Sequence, residues 1–483
     1  MTDSIIDVLN LVDDDLIITD HKTINQTLYV ELEKKLTPMY CPLCRSRMYS
    51  KGIYKRTINH PVLQDGRKVI LNVKRRKWKC SSSLCNYMNS DNFKLFAAYK
   101  HSSNLLPLLV LKEMKDLTNT AEDIAHKLNV SDSTVITTFM SYVDLPRLPL
   151  SSVISVDEVY MNFDYRHKYP MVIIDFITGE PIDIVMSRRE EDTNRYFLSM
   201  PIEERNNVQF LICDMYNPYI QYVKRYFPNA KAVVDCFHVT KYMIGKLDSY
   251  IYKLTKQFRE RDLKLLEEKN LKSNREYKSI KTSKEVYILS KFKWVLLEKQ
   301  SDIDYSSERK WCPFLNEYLD TFQKEKMFLD LDPHFRRLRE LKEMYHAFDD
   351  DSKQHPEYVE SKLNELISYY QNCDQQIFRE FAVLLKKYRK EIILSYTFVD
   401  VIDKNGTTVH RRLSNAFIES FNRKPKDLKR AACGLANFQY ARNRILWSTR
   451  NDPAMLAKPR DIKEFKVHTG KKRGHYKKQT RNV

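Results

Sequence analysis

Two apolar segments of this chain run straight into an aspartate: Ile154-Ser155-Val156-Asp157 and Leu211-Ile212-Cys213-Asp214. Acids are rarely buried unless they are paired or hold a metal, so a carboxylate ending a buried strand is chemically conspicuous. On neighbouring strands both acids would emerge at one sheet edge. Paired carboxylates there, with substrate phosphate, can hold two hard cations roughly 3.5–4 Å apart. A third acid is expected from a helix laid on the sheet, and Glu419 is the best candidate. Asn415, Glu419 and Asn422 fall on one helix face, while Phe417, Ile418 and Phe421 supply an adjoining apolar one. Arg423, Lys424, Lys426, Lys429 and Arg430 follow directly, placed to meet phosphates. Most of the 63 acidic residues are expected to be solvated surface groups, and Glu158 and Asp183 fit that role.

The cysteines fall into two sets. Cys41 and Cys44 form a C-x2-C pair, and Cys80 and Cys85 a looser C-x4-C pair, joined by a basic segment. Two such pairs can present four thiolates to one tetrahedral Zn²⁺, and with every position filled the ion's role is structural. The alternative is four unrelated reduced thiols. Cys213, Cys236, Cys312, Cys373 and Cys433 are scattered, as small buried side chains are.

These residues need elements to position them. Residues 1–35 read as a short helix and then a strand at 27–33, followed by a basic strand at 68–79. Residues 100–145 read as helices. Within them Thr120 and Asp123 can cap a helix over 120–128, Asn129-Val130 make a turn, and Ser131 can cap a second helix. This is a helix-turn-helix pattern, with Ser133, Thr134, Thr137 and Thr138 free to face a major groove. That helix is poor in Arg and Lys, and a plain helical hairpin is the alternative. Residues 145–149 hold two prolines and read as a linker.

From Val153 the pattern becomes strands at 153–157, 169–176, 182–186, 208–213 and 232–234, with helices at 194–200 and 219–226. Glycine then vanishes between Gly245 and Gly406, and Leu, Lys, Glu and Tyr dominate. This predicts a large all-helical insertion, before a final helix over 415–424. The end, 468–483, is a basic tail.

Composition sets outer bounds. Hydrophobic residues make up 42%, enough for real cores, which argues against wholesale disorder. The net charge of +19 favours a polyanionic partner, because phosphate contacts release counterions. No apolar run is long enough to span a bilayer, and the acidic start lacks a signal-peptide pattern. The chain reads as cytosolic, where cysteines stay reduced or bind metal.

The segments CPLC with CSSSLC, SVDEVY, CDMYNPY, VVDCFHVTKY, KFKWVLL and SNAFIESFNRKPKDLKRAACGLANFQYARNRIL occur in that order, with KFKWVLL inside the insertion. Over about residues 36–450 they resemble the ISL-three family of bacterial insertion-sequence transposases. The resemblance implies a multidomain α+β fold: a zinc-binding domain (1–98), a helix-turn-helix (99–147) and an RNase H-like α/β domain (150–450). The all-helical insertion would occupy about 241–400, with a basic tail at 451–483. The family's DDE acids map onto Asp157, Asp214 and Glu419. Asp235 and His238 look like the D-x-x-H element found after the second acid in several DDE groups and are expected to be accessory, with Asn415 and Asn422. Asp235 is the rival for the second acid.

The resemblance further implies Mg²⁺ or Mn²⁺ at the acids and structural Zn²⁺ on the cysteines. The partner would be double-stranded DNA, at terminal inverted repeats and target, bound by a homodimer or larger assembly at the bacterial nucleoid. Two alternatives are a DNA-binding regulator with a relic catalytic domain and a nuclease that cuts without joining.

Overall fold

The computed structural model describes residues 9, 11, 13, 15–61, 66–96, 101–269, 283–403, 405–432 and 435–465. The expected first helix falls mostly outside these residues, as do Cys433 and the basic tail 468–483. What stands before the expected strand is another strand. β1 (Leu16–Ile24) pairs antiparallel with β2 (Thr27–Lys34). Asn25 and Gln26 between them have φ of 47° and 58°, the left-handed pair that a two-residue hairpin turn demands. β1 is mostly exposed, so it carries little apolar alternation for a sequence to show.

β3 (Met48–His60) and β4 (Lys68–Cys80) complete the first sheet in the order β1-β2-β4-β3, with β5 (Met88–Ser90) pairing the end of β4. Val30, Leu32, Ile58, Val69, Leu71 and Val73 are fully buried on one face, covered by Phe93, Leu95 and Phe96.

Three helices follow: α1 (Leu105–Glu113), α2 (Ala121–Leu128) and α3 (Asp132–Tyr142). Local chemistry sets their ends as expected. Thr120 and Asp123 form a reciprocal capping box, Asn129 turns through φ 53°, and Ser131 accepts from the Thr134 amide at 3.2 Å. The proline-rich stretch after α3 is extended, yet it is no free linker. Arg147 makes a two-pronged contact with Glu204 (2.5 and 2.7 Å), Asn443 donates to the Val143 carbonyl, and Arg450 donates to that of Pro146.

The second sheet is built from β6 (Val153–Glu158), β7 (Met171–Asp175) and β8 (Pro181–Val185), an antiparallel meander. Helices α4 (Glu190–Leu198) and α5 (Ile202–Asn206) lead to β9 (Phe210–Cys213), and α6 (Asn217–Tyr226) leads to β10 (Lys231–Val234). β9 lies parallel to β6, and β10 parallel to β9. The order is β10-β9-β6-β7-β8, so the strand carrying Asp157 is central and the one leading to Asp214 is its neighbour.

The 33-residue α7 (Cys236–Glu268) carries the chain away from this sheet. It packs with α8 (Lys284–Lys291), α9 (Trp294–Leu297), α10 (Thr321–Leu329), α11 (Phe335–Gln354), α12 (Val359–Gln371), α13 (Gln376–Lys387) and α14 (Arg389–Leu394) around a separate aromatic-rich core. The insertion is not all-helical. β11 (Lys310–Cys312) and β12 (Glu317–Leu319) form a hairpin on which Trp311 and Tyr318 meet at 5.0 Å. Three-residue strands are too short to show a two-residue period against a helical background.

A further hairpin, β13 (Phe398–Ile402) and β14 (Thr408–Arg412), returns the chain to the second sheet. Two helices replace the expected single one at 415–424: α15 (Ala416–Phe421) and α16 (Arg423–Ala431), meeting at Asn422. Pro425 is the third residue of α16, in the first turn where a proline is tolerated, and it has no amide to continue the hydrogen-bond run of α15. α17 (Phe438–Thr449) is the last described α-helix.

The sheet is covered on both faces. Ile154, Val156, Met171 and Ile173 pack against Phe197, Tyr222 and Tyr226 of α4 and α6. On the opposite face Val172, Ile174 and Ile184 share one core with Ile418, Leu428, Leu446 and Trp447, and with Leu106, Val110, Ile124 and Phe139 of α1–α3. Asp183 is buried and not, as expected, on the surface. It is 4% exposed and bound by Arg442 through Nε at 2.7 Å and Nη2 at 2.6 Å.

Candidate active site

Strand register places the first two acids. Val156 of β6 pairs with Cys213 of β9, so Asp157 and Asp214 are the next residues along two parallel, adjacent strands. They leave the sheet at the same edge. Glu419 sits on α15, whose Ile418 and Phe421 are buried against the sheet.

The flanking residues tie the acids together. Asn422 donates its side-chain amide to Asp157 Oδ2 at 2.6 Å, and Asn415 donates to Asp214 Oδ1 at 2.9 Å. His238 Nε2 lies 2.7 Å from Asp214 Oδ1 and 3.6 Å from Glu419 Oε1, bridging the second and third carboxylates. Asn415 precedes α15 and Asn422 ends it, and their side chains reach Asp214 and Asp157 from the two ends of the helix that carries Glu419.

Asp235 is spoken for differently. It is 3% exposed; Oδ1 accepts from the Phe237 amide at the start of α7 and Oδ2 from the Asn415 amide at 2.9 Å. Both oxygens hold backbone together, joining the start of α7 to the start of α15.

Electrostatics follow from this crowding. Burial, and then the charge of Asp214, push the Asp157 carboxyl up to about 7. Burial and Asp235 also raise Glu419. Burial works against a charged His238, but the hydrogen bond and charge of Asp214 outweigh it and hold the ring above its usual value. An ionised acid that its surroundings disfavour gains most from a nearby cation. The side-chain oxygens of Asn415 and Asn422 are buried without a partner, two further acceptors beside the acids. This donor set of carboxylates and amide oxygens suits a hard dication such as Mg²⁺ or Mn²⁺.

Glu158 departs from its expected surface role. Arg188 Nη1 contacts its Oε1 at 2.5 Å, and the Tyr219 hydroxyl donates to its Oε2. Sequence reasoning missed Arg188, since an arginine in a loop gives no local sign of its partner. The tyrosines spaced along α6 were the available clue.

The four cysteines form the other chemical centre. Among the described residues they are the one group of three or more His, Cys, Asp or Glu whose ligand atoms all lie within 4.8 Å of one another. The Sγ separations are 3.3 Å for Cys44–Cys80 and 3.7 Å for Cys41–Cys85. Sulfurs about 2.3 Å from a tetrahedral Zn²⁺ would lie roughly 3.8 Å apart, so the cluster fits that ion. The Cys41–Cys44 turn is closed by the Arg45 amide on the Cys41 carbonyl, with Arg45 at φ 59°. Ser46 lowers the Cys44 thiol to about 6, whereas burial and the neighbouring thiols push Cys80 up to about 12. Cys213, Cys236, Cys312 and Cys373 are buried elsewhere, as expected.

The expected DNA contacts lie on two surfaces. Arg423, Lys424, Lys426 and Arg430 are exposed on α16, and Lys429 is half-buried. Ser133, Thr134, Thr137 and Thr138 line a groove of about 450 Å³ with Asn59, His101 and Ser102. The polar face of α3 therefore opens towards the first sheet.

A family model described as a transposase, of the ISL-three type, matches residues 154–445. A second, described as the zinc finger of the transposases IS204/IS1001/IS1096/IS1165, matches residues 37–85 and so takes in all four cysteines. The first covers more than half of the chain, and the protein belongs to the ISL-three family of transposases. With the cysteine geometry, the second match identifies the N-terminal region as a zinc ribbon with structural Zn²⁺. No curated protein matches the chain. No described helix is long and apolar enough to cross a membrane.

Proposed function

We propose that this protein cuts and joins DNA at the ends of an insertion sequence, as a DDE transposase with an RNase H-like catalytic domain. The observation that carries this is the gathering of Asp157, Asp214 and Glu419 at one sheet edge, with Asp157 and Asp214 each held by a side-chain amide and Glu419 3.6 Å from the His238 ring that binds Asp214. The strand order supports the RNase H-like reading: a three-strand meander, with two parallel strands added beside its first member.

Asp157, Asp214 and Glu419 would hold Mg²⁺ or Mn²⁺, which supplies Lewis acidity for water attack on a phosphodiester and for the leaving 3′ oxygen. The chain's own residues do the rest. Asn422 and Asn415 fix the carboxylate orientations, and Asp235 fixes Asn415 through its backbone. His238 keeps a proton between Asp214 and Glu419, lowering their mutual repulsion. The cations of α16 meet phosphates flanking the cut, and α2–α3 act as a helix-turn-helix on duplex DNA. The freed 3′ hydroxyl then attacks target DNA at the same carboxylates. Joining two ends calls for two copies of the chain.

The test uses purified full-length protein, Mg²⁺ and a plasmid carrying the DNA that flanks the gene. End cleavage and strand-transfer products are expected, and Glu419→Gln should abolish both. Unchanged cleavage in that variant would sink the assignment. Cleavage without joining would make the protein a nuclease.

A further inference from the structure

Beside the carboxylates lies a row of exposed aromatic rings interleaved with cations. β6 and β7 continue past their last paired residues, with the Val159 amide on the Pro170 carbonyl and the Met161 amide on that of Lys168. Val159 and Met161 turn inward, so the alternation of a strand sends Tyr160 outward. It meets Tyr169 at 5.4 Å. Arg188 lies over Tyr169 (5.2 Å) and over Tyr216 (5.0 Å), while Lys429 of α16 sits 4.2 Å above Tyr160.

Topology puts this row at the edge that carries the acids. Glu158 pairs with Met171, and Met171 with Val185, so the end of β6, the start of β7 and the end of β8 coincide. Tyr216 lies two residues beyond Asp214. The rings are nonetheless left in solvent: Tyr160 is 46% exposed, Tyr169 41% and Tyr216 40%. Exposed aromatic surface gathered in one place marks a binding site more often than a packing accident. The row is also stiff. Arg188 is held by Glu158, its amide donates to the Tyr169 carbonyl, and Tyr222 donates to its own carbonyl. Its charge is largely spent on Glu158, so Arg188 splints the tyrosines. Lys429 has no carboxylate partner among the described residues and is free to meet a phosphate.

Rings interleaved with cations are what an unpaired nucleotide needs: a flat face for the base and a charge for the backbone. Resting on the DNA-cleaving role proposed above, we infer that Tyr160, Tyr169 and Tyr216 form a stacking platform for a base taken out of the duplex beside the cut, with Lys429 on its phosphate.

The experiment compares the affinity of full-length protein for a fully paired duplex and for the same duplex with a short unpaired fork, in Ca²⁺ so that binding is read without cutting. The fork is expected to bind roughly tenfold tighter. Tyr160→Ala combined with Tyr216→Ala should bring that ratio to about one, whereas the matching Phe variants should keep it, since stacking needs the ring and not the hydroxyl. Equal affinity of the unaltered protein for both duplexes would overturn the platform. So would a folded double-Ala variant that keeps the preference. Because the readout needs no cleavage, failure of the catalytic assignment and failure of the platform are seen separately.

Discussion

The amide of Asn422 donates to Asp157 at 2.6 Å while its own carbonyl oxygen, buried, has no partner. The residue that ends the glutamate helix thus orients the acid near the end of the central strand. Partners of this kind typically govern metal affinity by 10–100-fold. Asn422→Ala is expected to weaken Mg²⁺ or Mn²⁺ binding by about that factor, measured by titration calorimetry, with the protein still folded. Unchanged metal affinity would show that the contact is merely structural.

Asp214 and Asp235 make opposite predictions. Asp235→Ala removes a helix cap and leaves the Asn415 amide unpaired, a loss of roughly 2–4 kcal/mol. Its Tm should fall. Asp214→Asn should leave Tm nearly unchanged and lower cleavage roughly a thousandfold, several kcal/mol of transition-state stabilisation. The reverse pattern would exchange their roles.

Asp157 couples the site to pH. Its carboxyl is raised from 3.8 to about 7, so its ionised form is disfavoured in the folded, metal-free protein. The penalty is absent below about 4, grows through the window up to about 7 and is complete above it. Metal-free protein should therefore gain stability as pH falls through that window. Asp157→Asn should raise its Tm at pH 8 by roughly 3–8 °C and change it little at pH 4. Affinity for Mg²⁺ should climb up to about pH 7 and then level. A Tm difference independent of pH would contradict this.

The cysteine cluster predicts one zinc per chain. Cys80 ends β4 and is buried, so Cys80→Ser should lose the ion and loosen the first sheet near Trp78, which shares that small core. Elemental analysis and Trp fluorescence would follow both. Retention of stoichiometric zinc would rule out this ligand set.

Much of this was legible in the sequence where a local rule applied. Capping residues set the ends of α2 and α3, and apolar strands ending in Asp placed Asp157 and Asp214. The misreadings had non-local causes. Asp183 looks like any surface acid until Arg442, far along the chain, closes on it. Glu158 is fixed by Arg188 and Tyr219 from two other elements. β1 lies at a sheet edge and β11–β12 are too short, so neither repeats a pattern long enough to see. The all-helical expectation failed for that reason.

One core runs without a break from Leu106 of α1 and Phe139 of α3, through Trp447, to Ile418 beside Glu419. Solid packing of this kind transmits position without slack. A duplex seated on α3 would then reach the carboxylates at a set number of base pairs from its anchor. The protein would act as a gauge, choosing its cut by distance, and altering the DNA between anchor and cut would move the break only in register with the helix.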